Sequence, residues 1–187
     1  MLEINSPIKE TQTYNNFSMQ EKNPVTKINL RGNINNKDFT GKVGKILGII
    51  LPVEIGKIAI KEEISIISTG PNEWLIISNN TIEENGNHLE LENILYESIS
   101  KNNLGAVTSI TDQFTIFSLK GSNIYEVLSK SSPFDFDTLS DNSSAQTLLN
   151  NIDVTIVKKN NENMDLLVRR SFSEHLWDWI KDSANLS

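Results

Sequence analysis

The stretch Arg169-Arg170-Ser171-Phe172-Ser173-Glu174-His175-Leu176-Trp177-Asp178-Trp179 closes a run that begins at Ser144-Ala145-Gln146-Thr147-Leu148-Leu149 and passes through Ile152–Val157 and Leu166–Arg170. Ser171 and Glu174 are spaced as a capping box, in which the serine hydroxyl takes an orphan N–H and the glutamate reaches back. At about 100° per residue, Phe172, Leu176, Trp179 and Ile180 share one face, which predicts a docked amphipathic helix over Ser171–Ala184. Trp177 falls at the edge of that face, beside the polar stripe of Glu174, Asp178 and Lys181. There it either covers a loop of its own chain or anchors another protein, because Trp and Arg are enriched at interfaces. The paired Arg169-Arg170 fits both readings. Arg169, Arg170, Trp177 and Lys181 are the interface candidates.

A chain of 187 residues, 37% hydrophobic, holds one domain or two small units. No apolar run reaches the length of a membrane span, and Met1–Asn23 has no basic-then-apolar secretory pattern. With no cysteine, disulfides, thiolate nucleophiles and cysteine-held metals are excluded, which fits the cytoplasm. A net charge of −7 argues against a nucleic-acid partner. His88 and His175 are the two histidines, far apart in sequence, and give little material for a histidine triad or metal pair.

Residues 1–23 are polar and aperiodic and read as a mobile arm. Val25–Asn33 alternates as a strand. Asp38 is placed to cap a helix carrying Phe39, Val43, Ile46, Leu47 and Ile50, which Pro52 ends. Its Gly41-Lys42-Val43-Gly44-Lys45 lacks the spacing and the Ser/Thr of a phosphate loop. Ile64–Thr69 and Glu73–Ser78 flank Gly70-Pro71-Asn72 as a hairpin, and Trp74 falls in the core or at its rim. After a polar loop at 79–87, Leu91, Ile94, Leu95 and Ile99 mark a second helix. Val107–Asp112 and Phe114–Leu119 follow as strands, and Gly121-Ser122 opens a helix with Ile124, Val127 and Leu128. A short helix over Ala145–Asn150 precedes the hairpin of Ile152–Val157 and Met164–Val168.

That order predicts an α+β fold of two packed ferredoxin-like (split βαβ) units with antiparallel sheets, residues 24–112 and 113–187, the second lacking a clear last strand. Among the carboxylates, Asp112 stands at a junction of strands, where it could face a cleft. A turn role is its plainer reading.

Gly70-Pro71-Asn72-Glu73-Trp74-Leu75, Ala145-Gln146-Thr147-Leu148-Leu149 and Arg170-Ser171-Phe172-Ser173-Glu174…Leu176-Trp177-Asp178-Trp179, with Leu119-Lys120-Gly121-Ser122, closely resemble the gamma subunit of heterotetrameric sarcosine oxidase. The likeness spans roughly residues 40–184, with the periodicities agreeing throughout. This chain departs from the family at Asn142-Ser143-Ser144, where a glycine is usual. Asn72 stands for the usual Asp, and Lys120-Gly121-Ser122 lacks a proline. The resemblance implies a noncatalytic subunit whose fold is related to the aminomethyltransferase (folate-binding) type of domain. Enzymes of this kind oxidise the N-methyl group of sarcosine. Electrons pass from noncovalent FAD to covalent FMN and on to oxygen, giving hydrogen peroxide, and the one-carbon unit goes to tetrahydrofolate. The FAD, FMN, NAD and tetrahydrofolate sites are expected in the large alpha subunit and the flavin-carrying beta subunit, with gamma packed on alpha and no cofactor of its own. Two alternatives stay open. One is a gamma-type subunit of a related N-methyl amino acid dehydrogenase. The other is a stand-alone folate-binding protein using Asp112.

Overall fold

The computed structural model describes residues 6–8, 10–81 and 90–186, and for 79–81 the backbone only. Most of the polar loop expected at 79–87, with His88, lies outside the described residues.

The first finding corrects the expectation of a mobile arm. Strands β1 (Thr11–Tyr14) and β2 (Phe17–Glu21) form a hairpin, closed by a tight turn in which Asn16 takes φ +60°. Phe17 and Met19 alternate with Ser18 and Gln20, and both apolar side chains are buried. Two inward positions in a polar stretch are a faint signal. They suffice here because a sheet edge supplies the backbone partners.

Residues 23–111 form one compact unit. It contains β3 (Val25–Gly32), α1 (Lys37–Leu47), β4 (Ile58–Lys61), β5 (Ile64–Gly70), β6 (Glu73–Thr81), α2 (Glu90–Leu95) and β7 (Gly105–Ser109). A wider helical turn over Tyr96–Ser100 extends α2. The sheet order is β4-β5-β6-β3-β7, every pair antiparallel, so β3 and β5 run the same way on either side of β6. This is the split βαβ arrangement, with β4 added at one edge.

Helix α1 is capped by Asn36 rather than Asp38. The Asn36 side-chain oxygen accepts from the N–H groups of Asp38 (2.9 Å) and Phe39 (3.3 Å). It ends at Gly48, φ +65°, whose N–H donates to the Gly44 carbonyl, four residues before the expected stop at Pro52. Ile50 is therefore off the helix and 90% exposed, while Phe39, Val43 and Leu47 are buried. Trp74 is core. Its indole N–H donates to the Pro52 carbonyl at 2.7 Å and its ring lies 5.8 Å from Phe39.

The second unit joins the segment up to Lys22 with residues from Asp112 onward. It contains β8 (Phe114–Lys120), α3 (Ile124–Ser129), β9 (Ser143–Leu149), β10 (Ile152–Asn160), β11 (Asn163–Arg169) and α4 (Ser173–Asn185). Its sheet order is β1-β2-β8-β11-β10-β9, all antiparallel. The two sheets thus have equivalent orders. β8, β10 and β11 match β3, β5 and β6, the extra edge strand β9 matches β4, and β2 occupies the place of β7. The last strand that seemed missing from this unit comes from the N-terminus.

Residues 145–149, expected as a short helix, belong to β9. Asn150 and Asn151 both take positive φ and close a two-residue turn into β10, so Leu149 pairs with Ile152. Within the strand Gln146 and Leu148 face outward, a period of two that the adjacent leucines disguise.

The cap and phase of α4 also differ from expectation. A single tight helical turn, Arg170–Phe172, leads into it, and no side chain caps its N-terminus, so the Ser171–Glu174 capping box is not made. Ser173 is fully buried, its hydroxyl 2.9 Å from the Arg170 carbonyl and 3.0 Å from Thr115 Oγ1. With Ser173 inside, the helix turns so that Leu176, Trp177, Ile180 and Ala184 face the core. Phe172 is 46% exposed and Trp179 only half-buried.

Candidate functional site

Strand β11 ends at Arg169, directly opposite Phe114, the first residue of β8. Before β8 the chain makes one tight turn, Thr111–Gln113, and after β11 it makes another, Arg170–Phe172. Antiparallel pairing therefore brings two segments more than fifty residues apart to one end of the sheet. With Pro7 they line a cleft of about 560 Å³, whose walls are Pro7, Asp112, Gln113, Arg169, Arg170 and Ser171.

Three of the five candidate residues meet there. Arg169 is exposed, its guanidinium 5.7 Å from the centre of the Phe114 ring, within cation–π range. Arg170 is half-buried and follows it on the turn. Asp112 is exposed on the opposite turn. Trp177 does not belong to this surface. At 3% exposure it is interior, which overturns both expectations for it at the rim. Lys181 is half-buried on α4 and does not line the cleft. His175 is exposed, its Nε2 3.1 Å from the Asn150 side-chain amide.

Two charge clusters, each centred on one buried residue, serve structure. Asp165, on β11, is 2.6 Å from Lys22 Nζ and 2.9 Å from Lys159 Nζ. Burial pushes the Lys22 ammonium below its ordinary range, and Asp165 works against that. The ion pair fastens the residue after β2 to β11. Lys158, also buried, donates to the Leu139 carbonyl at 2.5 Å and lies 5.3 Å from the Tyr125 ring, holding the irregular segment before β9. Among the described residues no group of three or more His, Cys, Asp or Glu could hold a metal ion. Among them, too, no helix is long and apolar enough to cross a membrane.

Residues 31–185 match the model of a family described as sarcosine oxidase, gamma subunit family. The chain belongs to that family. Its fold is similar to that of a chain in heterotetrameric sarcosine oxidase from Corynebacterium sp. U-96, solved in complex with pyrrole 2-carboxylate. The TM-score is 0.79 at 23% identity, over 90% of this chain and 84% of that one. It is also similar to the glycine cleavage system aminomethyltransferase T from Bartonella henselae. Here the TM-score is 0.61 at 10% identity, over 88% of this chain and 45% of that one. At such identities the two structures establish the fold, which is of the folate-binding aminomethyltransferase-like kind. No curated protein matches by sequence.

For a gamma-family chain, one feature of the surface was missed by pattern reading. Ile50, Val53, Ile55 and Ile60 are 90%, 73%, 60% and 58% exposed, all within the loop before β4 and β4 itself. The signal was present in the sequence. Seven large apolar residues lie between the helix-ending Gly48 and β5, these four among them, in a stretch with no 3.6-residue period beyond α1.

Proposed function

We propose that this chain is the noncatalytic gamma subunit of a heterotetrameric sarcosine oxidase and packs on the large alpha subunit of that complex. The observation that carries the reading is the family match over residues 31–185. The exposed Ile50, Val53, Ile55 and Ile60 support it, because large aliphatic side chains concentrated in one short surface segment favour burial against another chain.

The complex removes the methyl group of sarcosine oxidatively. FAD, FMN, NAD and tetrahydrofolate are held by the alpha and beta subunits, and hydrogen peroxide and a folate-bound one-carbon unit are the products. The residues of this chain fit a surface role better than a folate site. A pterin asks for a flat, largely apolar slot. The cleft beside Asp112 is lined by Pro7, Asp112, Gln113, Arg169, Arg170 and Ser171, with no aromatic ring or large aliphatic side chain among them to stack on a pterin.

Co-expression with the alpha and beta subunits of such an oxidase, and purification through a tag on this chain, tests the reading. Stoichiometric larger subunits with flavin absorbance are expected in the eluate. A chain that elutes alone, or that turns over sarcosine alone, would contradict it.

A further inference from the structure

The chain carries 24 acidic residues against 17 Lys and Arg, a net charge of −7 that disfavours an anionic partner. The cleft at the end of β11 stands against that background, with two consecutive arginines in its walls. Arg169 differs from the other strand-end arginine, Arg31, which is held at 2.9 Å by Glu73. Among the described residues no carboxylate pairs with Arg169, and its contact is the Phe114 ring. A guanidinium laid on an aromatic ring keeps its hydrogen-bonding edge available in its own plane, where a carboxylate binds in bidentate fashion.

Asp112 and Gln113 narrow the choice of occupant. A bare anion gains from the arginines and is repelled by Asp112. A peptide that offers an acidic side chain to Arg169 and an N–H or ammonium to Asp112 satisfies both, and the Gln113 amide can bond a peptide backbone. A volume of about 560 Å³ accommodates a few side chains of such a segment.

We infer that this cleft receives an acidic segment of the large partner subunit, with Arg169 as its carboxylate anchor. The inference rests on the subunit reading above. It locates one point of contact on the second unit and states its chemistry.

The test titrates the large subunit with labelled wild-type chain, Arg169→Glu and Lys120→Glu, at low and moderate salt. Lys120 is exposed at the opposite end of β8, so its substitution changes net charge equally away from the cleft. Arg169→Glu is expected to weaken binding about 30-fold or more, as a charged hot spot does, and to flatten the salt dependence. Lys120→Glu is expected to leave both nearly unchanged. Equal effects of the two variants, at matched melting temperatures, would overturn the inference while leaving the subunit reading intact. Absence of any wild-type complex would overturn both. A photo-crosslinker at Gln113 provides an independent readout. Capture of a segment bearing Asp or Glu is expected, and capture of one without them would overturn the inference.

Discussion

The Trp177 ring stands edge-on to Phe117, with centroids 5.2 Å apart and planes at 71°. Both rings are buried, so this contact fastens α4 to β8 at the centre of the second core. Trp177→Ala is expected to cost about 3–5 kcal/mol, the usual toll of emptying a large aromatic site. Trp179→Ala, at a half-buried position, should cost less than half as much. Urea midpoints of the two variants check the ranking, and a larger loss for Trp179 would place the helix in the wrong phase.

Ser173, not Ser171, carries the polar anchor of the last helix. Its hydroxyl bridges the Arg170 carbonyl and Thr115 Oγ1 out of contact with water. Ser173→Ala should destabilise by about 1–3 kcal/mol, because the buried Thr115 hydroxyl loses this partner. Ser171→Ala, at an exposed position without a cap bond, should stay within about 0.5 kcal/mol of wild type. Paired thermal melts distinguish the two serines.

Glu73 gives the first unit an acid-sensitive contact. Burial tends to raise its pKa. Hydrogen bonds from Asn29 (2.6 Å) and Arg31 (2.9 Å), with the Arg31 charge, outweigh that and hold it below its ordinary 4.5. A depressed carboxylate contributes stability that is present above its unfolded pKa and lost as pH falls through its folded value. Stability should therefore decline below about pH 4.5, and Glu73→Gln should make that decline shallower. Denaturant titrations from pH 3 to 7 measure it. An identical slope in the variant would remove Glu73 from the explanation.

Gly121 lies where the N-terminal hairpin meets the start of α3. Its φ is +122°, and an added Cβ would come within 2.1 Å of the Asn16 carbonyl oxygen, which also accepts from the Asn123 N–H at 3.1 Å. Gly121→Ala should cost about 1–3 kcal/mol through backbone strain, with faster hydrogen exchange concentrated in β1 and β2. A uniform change across both units would argue against that placement.

Much of this architecture was legible because alternation is a strong signal where one face is apolar. Val25–Gly32 from Ile28 onward and Ile152–Asn160 announce themselves in this way, whereas Ile64–Gly70, Phe114–Lys120 and Asn163–Arg169, buried at successive positions, are legible as short apolar runs between turn residues. β2 was not, since Phe17 and Met19 are its only inward apolar residues and its stability comes from pairing with a strand almost a hundred residues away. β9 was hidden by Leu148-Leu149, of which only Leu149 is buried. The phase of α4 depends on a buried serine, which no hydropathy pattern favours over Phe172. In the cleft, Asp112 and the two arginines were each visible as residues. Their meeting was not, because it follows from the register that sets Arg169 opposite Phe114.

The N-terminal hairpin as the completing strand of the second unit is the claim on which that unit's topology depends. Its most direct test is peptide-level hydrogen exchange on a chain that begins at Asn23. Loss of protection in β8, with β3, β5, β6 and β7 still protected and a lower melting temperature for the remainder, is the predicted result. Unchanged protection of β8 and unchanged melting would contradict it.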